Sequence, residues 1–192
     1  MKNVLLLLAG GFEVFEASVF IDVMGWNLVD GDGTTKLVSC GFNREVKSSF
    51  SHKFVVDHLI DEINVDDFDA LAIPGGFEEF GFYNEAYDEK FLNLIREFNK
   101  QDKIIATICT GGMAIGKSGI LKGKRGTTYT SRHSQLKALG VNVVNEAIVV
   151  EGKVITSWNP STAVDVASIL LEMLTSKENA NYIREIMGFE TN

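Results

Sequence analysis

Proline and cysteine are both scarce, 2 of each in 192 residues, and histidine is almost as rare, with 3. So little proline, together with 45% hydrophobic and 23% charged residues, excludes an intrinsically disordered chain and leaves an ordinary globule with ample apolar surface to bury. Two cysteines, Cys40 and Cys109, make no disulfide framework, and no Cys or His pair has zinc-ligand spacing. No metal is expected, and a reducing cytoplasm fits best. Long hydrophobic runs are missing too. The apolar stretch from Val4 to Ala9 is too short for a signal or a membrane span and is followed at once by Gly10-Gly11 and acidic residues. Basic residues are outnumbered, 18 against 26 acids, so the net charge of -8 repels phosphate backbones and anionic lipid. Neither nucleic acid nor membrane is an expected partner. There is no Gly-x-Gly-x-x-Gly after the first apolar run and no Walker loop, so no cofactor is called for.

What is present is a regular alternation. Val4 to Leu8 reads as a central strand buried on both faces, and Val19, Phe20, Val23, Met24 and Trp26 recur at helical spacing over Glu16 to Leu28, with Asp22 and Asn27 off the stripe. Lys36 to Cys40 predicts a second strand and Ala70 to Ile73 a third, closed by Pro74-Gly75-Gly76. A helical face of Tyr87, Phe91, Leu94, Ile95 and Phe98 leads to an apolar strand from Lys103 to Cys109 and a short helix over Met113 to Ser118. Ala147 to Val150 and Lys153 to Thr156 flank Glu151-Gly152 as a hairpin, and helices are predicted over Pro160 to Leu174 and Asn179 to Met187. The fold class is therefore α/β: one domain over residues 1–192, a doubly wound and mostly parallel sheet with helices on both faces.

In such sheets reactive groups sit beyond the carboxyl ends of the strands. Cys109 ends a predicted strand and is followed by Thr-Gly-Gly, a sharp strand-to-helix turn that sets its sulfur against a helix N-terminus and favours the thiolate. By position alone it is equally an inert buried cysteine. Glu16 opens the first helix and would share a proton with that thiolate if the two strands are neighbours, although acids in first turns, Glu13 included, are commonplace. Gly75 and Gly76 are either a turn or the N–H donors of an oxyanion hole. Cys40 reads as core, His52 and His58 as loop or strand residues without ligand spacing, and Lys122, Lys124 and Arg125 as a polar turn.

Three ordered motifs, Phe-Glu-Ala at Glu16 with Ile21-Asp22-Val23-Met24, Ala72-Ile73-Pro74-Gly75-Gly76, and Ala106-Thr107-Ile108-Cys109-Thr110-Gly111-Gly112, resemble the ThiJ/PfpI superfamily over nearly the whole chain. The resemblance implies a flavodoxin-like, class I glutamine amidotransferase-like fold, a nucleophilic or redox-active Cys109, Glu16 hydrogen-bonded to it, and an oxyanion site at Gly75, Gly76 and Thr110. It also implies a homodimer. One departure stands out: where many relatives have Thr-Thr-His, this chain has Thr127-Thr128-Tyr129. Tyr129 donates a hydrogen bond but is a poor base near neutral pH. His133, four residues on and following Ser131 as the cap of a helix reaching Leu139, either swings toward the site or decorates that helix.

The resemblance implies an enzyme that attacks a small reactive carbonyl or related electrophile, free or on a modified protein, through Cys109, in the manner of glyoxalase-like and deglycase members. A thiol redox sensor or stress chaperone with an oxidisable Cys109 is the non-enzymatic alternative. Amidase, peptidase and small-molecule hydratase activities also remain open. Phe12, Phe15, Phe77, Phe80, Phe82 and Tyr83 stand in predicted loops that line a pocket or an interface.

Overall fold

The computed structural model describes residues 1–190, so the last two positions of the expected 1–192 domain lie outside the described residues. The chain runs β1 (Lys2–Leu8), α1 (Val14–Asp30), β2 (Thr35–Gly41), β3 (Glu45–Lys47), β4 (Lys53–Val55), β5 (His58–Leu59) and β6 (Ala70–Ile73). It continues through α2 (Phe82–Ala86), α3 (Glu89–Lys100), β7 (Ile104–Thr107), α4 (Gly111–Ser118), β8 (Arg125–Gly126), α5 (His133–Ala138) and β9 (Asn142–Val143). β10 (Ile148–Glu151), β11 (Val154–Ser157), α6 (Ala163–Leu174) and α7 (Lys177–Ile186) complete it.

Seven strands form one sheet in the order β10-β11-β7-β6-β1-β2-β5, parallel except for β10, which pairs antiparallel with β11 at one edge. The order of the five inner strands is the flavodoxin-like one. Val4 to Leu8 are wholly buried because β1 has neighbours on both sides and helices above and below, which is why its sequence is continuously apolar rather than alternating. The chain steps from β1 to β2 in one direction and from β6 to β7 in the other. Right-handed crossovers therefore put α1 and α3 on opposite faces. α1 packs with α6 and α7, and α3 with α4. Among the described residues no helix is long and apolar enough to cross a membrane.

β1 and β7 are not neighbours, since β6 lies between them. The β7 ladder ends at Thr107, so Cys109 lies two residues past it instead of closing the strand. Tyr87 falls outside α3 because Asp88 caps that helix, its side chain accepting from Lys90 N at 2.8 Å. Ser131 caps nothing. It sits in a single 3-10 turn, and α5 starts only at His133 behind Arg132. A helical turn at Pro160–Thr162 precedes α6. The stretch from 45 to 67, in which no element was expected, forms the β3–β4 hairpin, the edge strand β5 and three 3-10 turns.

The faces of α1 also differ from the expected stripe. Trp26 is 40% exposed and Asn27 is fully buried. Asn27 is tolerated there because every polar atom is used: its Nδ2 donates to Thr35 Oγ1 at 2.8 Å and Asp32 Oδ1 at 2.9 Å, and its Oδ1 accepts from Asn179 Nδ2 at 2.6 Å. The amide thus ties α1 to β2 and to α7. Replacing Asn27 with Ala leaves Thr35 and Asn179 underbonded, and is expected to cost about 1–3 kcal/mol, read as a lower urea midpoint with an unchanged slope.

Candidate active site

The carboxyl ends of β1, β6 and β7 open onto a cavity of about 410 Å³ lined by Glu16, Cys109, Thr110, Tyr83, Tyr129 and Arg132, with Glu13, Gly76, Phe77, Glu78, Glu79, Ser131 and Pro160 around them. Cys109 is the pivot. Its φ is +55°, a left-handed conformation that L residues with a side chain rarely adopt. The turn is enforced from both sides. A Cβ on Gly111 would stand 2.2 Å from Thr107 Oγ1, and one on Gly112 2.7 Å from Thr127 O, so the backbone closes to a separation only glycine allows. The Cys109 carbonyl accepts from Gly112 N at 3.2 Å, Thr128 Oγ1 at 2.8 Å and Tyr129 N at 3.3 Å. Held in this way, the carbonyl points away and the thiol faces the cavity.

Glu16 is fully buried. It reaches past the end of β6, where its Oε2 accepts from Gly75 N at 2.6 Å. Its Oε1 is buried without a partner, and the remaining polar neighbour of the carboxyl is the Cys109 thiol. Burial pushes Glu16 up to about 8, the Gly75 N–H opposing and the Glu13 charge adding to the rise. Burial also pushes the Cys109 thiol up, the charge of Glu16 adds to that, and the Thr110 N–H at the sulfur works against both. The low-pKa thiolate expected from the helix terminus is thus overridden. A buried carboxyl and a half-buried thiol face each other, and the site has room for one negative charge between them.

The expected oxyanion donors are differently employed. The Gly75 N–H holds Glu16, and the Gly76 N–H donates to Thr110 Oγ1 at 2.8 Å, which in turn donates to Gly76 O at 2.7 Å. Of the three, only the Thr110 N–H is directed at the sulfur. A Cβ on Gly75 would lie 2.8 Å from Thr110 N and 3.0 Å from Cys109 Cβ, so this glycine is required for close approach.

Tyr129 lines the mouth and is 40% exposed. His133 does not line the cavity. Its Nε2 lies 3.0 Å from Thr128 O and 3.2 Å from Thr127 Oγ1, so no Cys-His pair forms. Cys40 is fully buried in β2 and its thiol is pushed up by burial alone, while His52, His58, Lys122, Lys124 and Arg125 are exposed. Among the described residues no group of three or more His, Cys, Asp or Glu is placed to hold a metal.

The sequence did not single out Arg132, Glu78 and Glu79. Arg132 pairs with Glu78 at 2.6 Å and its guanidinium lies 5.7 Å from the Tyr83 ring centroid, closing one wall. These residues come from segments 54 positions apart, with no motif linking them. Of the six aromatics expected in loops, Phe15 lies in α1 and Phe82 and Tyr83 in α2; Phe77 and Tyr83 line the cavity, Phe12 and Phe82 are core, and Phe15 and Phe80 are exposed.

The DJ-1/PfpI family matches residues 2–173. The chain belongs to that family. It is 28% identical over its full length to DJ-1 homolog A of Arabidopsis thaliana, of which it covers 47%. It is 34% identical to the deglycase PfpI of Pyrococcus furiosus over 55% of this chain and 61% of that protein. The chain thus spans about half to three fifths of these two relatives. The crystal structure of Drosophila melanogaster DJ-1beta superposes with a TM-score of 0.88 at 27% identity, covering 98% of both chains. This agrees with the flavodoxin-like α/β architecture and with the resemblance read from the three motifs.

Because Glu16 is raised from 4.5 to about 8 on folding, its protonated form stabilises the fold fully below about 4.5, and that contribution is lost as pH rises through about 8. The difference in urea stability between the wild type and Glu16→Gln is expected to shift in favour of the variant between pH 5 and 9.

Proposed function

We propose that this chain is a cysteine-dependent enzyme acting on a small reactive carbonyl or related electrophile, with Cys109 as nucleophile. The observation that carries the reading is the pairing in one cavity of a strained, cavity-facing thiol with a buried carboxyl whose free oxygen has only that thiol to meet. The name of the Pyrococcus relative, a deglycase, points to the same class of chemistry. A carboxyl with its pKa near 8 serves in both directions. Ionised, Glu16 takes the thiol proton as the Sγ–C bond forms and the carbonyl electron pair moves to oxygen. Protonated, it returns that proton to the oxygen. The Thr110 N–H lies where it stabilises the developing charge, and Tyr129 orients substrate at the mouth. Without a histidine at the cavity, peptidase chemistry has no base other than Glu16.

Homodimerisation, the assembly implied by the resemblance, finds a surface in the exposed Phe15, Ile21, Trp26, Leu28 and Val29 of α1. A second use of the site is favoured by the partial exposure of Cys109 beside a proton donor: oxidation by peroxide to a sulfinate held by Glu16 and the Thr110 N–H. Peptide mass spectrometry after mild peroxide separates the two uses, with buried Cys40 as internal control. Selective gain of two oxygens at Cys109, in protein that does not turn over carbonyls, favours the sensor.

For the enzymatic reading, methylglyoxal consumption is expected to rise with pH through about 8 as Glu16 ionises, and to be lost in Cys109→Ala. Equal rates in wild type and Cys109→Ala would sink it for this substrate class.

A further inference from the structure

With the Gly75 and Gly76 N–H groups committed to Glu16 and Thr110, the cavity is left with one backbone donor at the sulfur, the Thr110 N–H. A carbonyl oxygen that becomes an alkoxide presents two or three lone-pair directions, and one protein donor leaves most of its charge unmet. A second donor is present. Tyr83 lines the same cavity, and its hydroxyl is shielded from solvent without a hydrogen-bond partner. A shielded hydroxyl with no partner is unfavourable unless something else supplies the acceptor.

The ring carrying that hydroxyl is fixed on three sides. Tyr87 stacks on it at 4.8 Å between centroids, Phe82 meets it edge-on at 5.4 Å, and the Arg132 guanidinium lies 5.7 Å from its centroid. Arg132 is itself anchored by Glu78 at 2.6 Å. These contacts use the ring and leave the hydroxyl, whose polar neighbour is the Thr110 side chain, without a partner at hydrogen-bond distance, so that a substrate oxygen has only to uncover it. Burial pushes the phenol upward, with the Arg132 charge and the neighbouring Thr110 side chain opposing.

We propose that the Tyr83 hydroxyl is a catalytic hydrogen-bond donor to the oxygen of the tetrahedral adduct that Cys109 forms with a carbonyl substrate, acting opposite the Thr110 N–H. The inference deepens the carbonyl reading and rests on it. In the step concerned, Sγ loses its proton to Glu16 and bonds to the carbonyl carbon, and the C=O electron pair passes to oxygen, which Tyr83 and Thr110 hold until Glu16 returns the proton. No oxidant or co-reactant is needed. Tyr83 donates a hydrogen bond and keeps its proton.

The test uses Tyr83→Phe, which removes one oxygen and keeps the ring contacts. Two readouts are taken with methylglyoxal as probe. One is turnover. The other is independent of turnover: protection of Cys109 from iodoacetamide by the reversible adduct, read by peptide mapping. The expected result is kcat lower by about 100- to 1000-fold with little change in KM. Half-protection is expected to need about tenfold more methylglyoxal. Alkylation without the aldehyde, which passes through no oxyanion, and thermal stability are expected to stay close to wild type. Equal protection and equal kcat in wild type and variant would overturn the proposal, as would slower alkylation without aldehyde, since Tyr83 would then act on the thiol or the fold. If wild-type Cys109 is not protected at all, the carbonyl reading fails first, and the role of Tyr83 falls with it.

Discussion

A carboxyl group sealed from water, gripped at one oxygen by the Gly75 N–H and left at the other with only a thiol, is the constraint around which the active end of this sheet is arranged. Burying Glu16 is costly, and the cost is contained by keeping the proton on the acid, not by giving it a counter-ion. That solution works only if the carboxyl comes from the first turn of α1 beyond β1, the N–H from the end of β6 and the thiol from beyond β7, so that the ends of three adjacent strands meet at one point. The flavodoxin-like order supplies this meeting place because β6 lies between the other two, and Gly75 spans the gap without a side chain that would strike Thr110 or Cys109.

The strain at Cys109 belongs to the same arrangement. A left-handed cysteine persists only where its surroundings over-determine it, and here three donors converge on its carbonyl while Gly111 and Gly112 remove the side chains that would otherwise block the turn. Two of those donors come from Thr128 and Tyr129. The Thr127-Thr128-Tyr129 segment thus has a structural duty, clamping the backbone of Cys109, even though its third residue is a poor base.

Much of this was legible from residue order. Strands buried on both faces leave continuous apolar runs, and close backbone approach leaves glycines, so Val4 to Leu8, Ala70 to Ile73 and the turns at Gly75 and Gly111 read directly. The failures share one cause: they depend on which distant groups a residue meets. Asn27 interrupts an apolar stripe yet is buried, because Thr35 and Asn179 arrive to satisfy it, while Trp26 faces outward. Gly75 and Gly76 read in sequence as a turn or as oxyanion donors, but their N–H groups go to Glu16 and Thr110, 59 and 34 positions away. The wall built by Arg132, Glu78 and Tyr83 carries no local signature at all. The direction of the Cys109 shift was misread for a related reason, since a helix terminus is visible in sequence and the depth of burial opposing it is not.

That misreading bears on the chemistry. A cysteine that rests as a low-pKa thiolate is always ionised, but its nucleophilicity falls with its basicity, by roughly 0.4–0.5 of a log unit for each pKa unit. A thiol held protonated by burial is a stronger nucleophile at the moment it loses its proton, provided a base stands within reach. Glu16, more deeply buried than the thiol and pushed to about 8, is such a base and a stronger one than an ordinary carboxylate. In the proposed addition, the proton that Glu16 accepts is the one the product oxygen needs, so the step closes without drawing on bulk water. Such a site is suited to carbonyl electrophiles, whose addition returns the proton, more than to substitution reactions, whose leaving group carries the charge away and leaves the buried pair one proton out of balance.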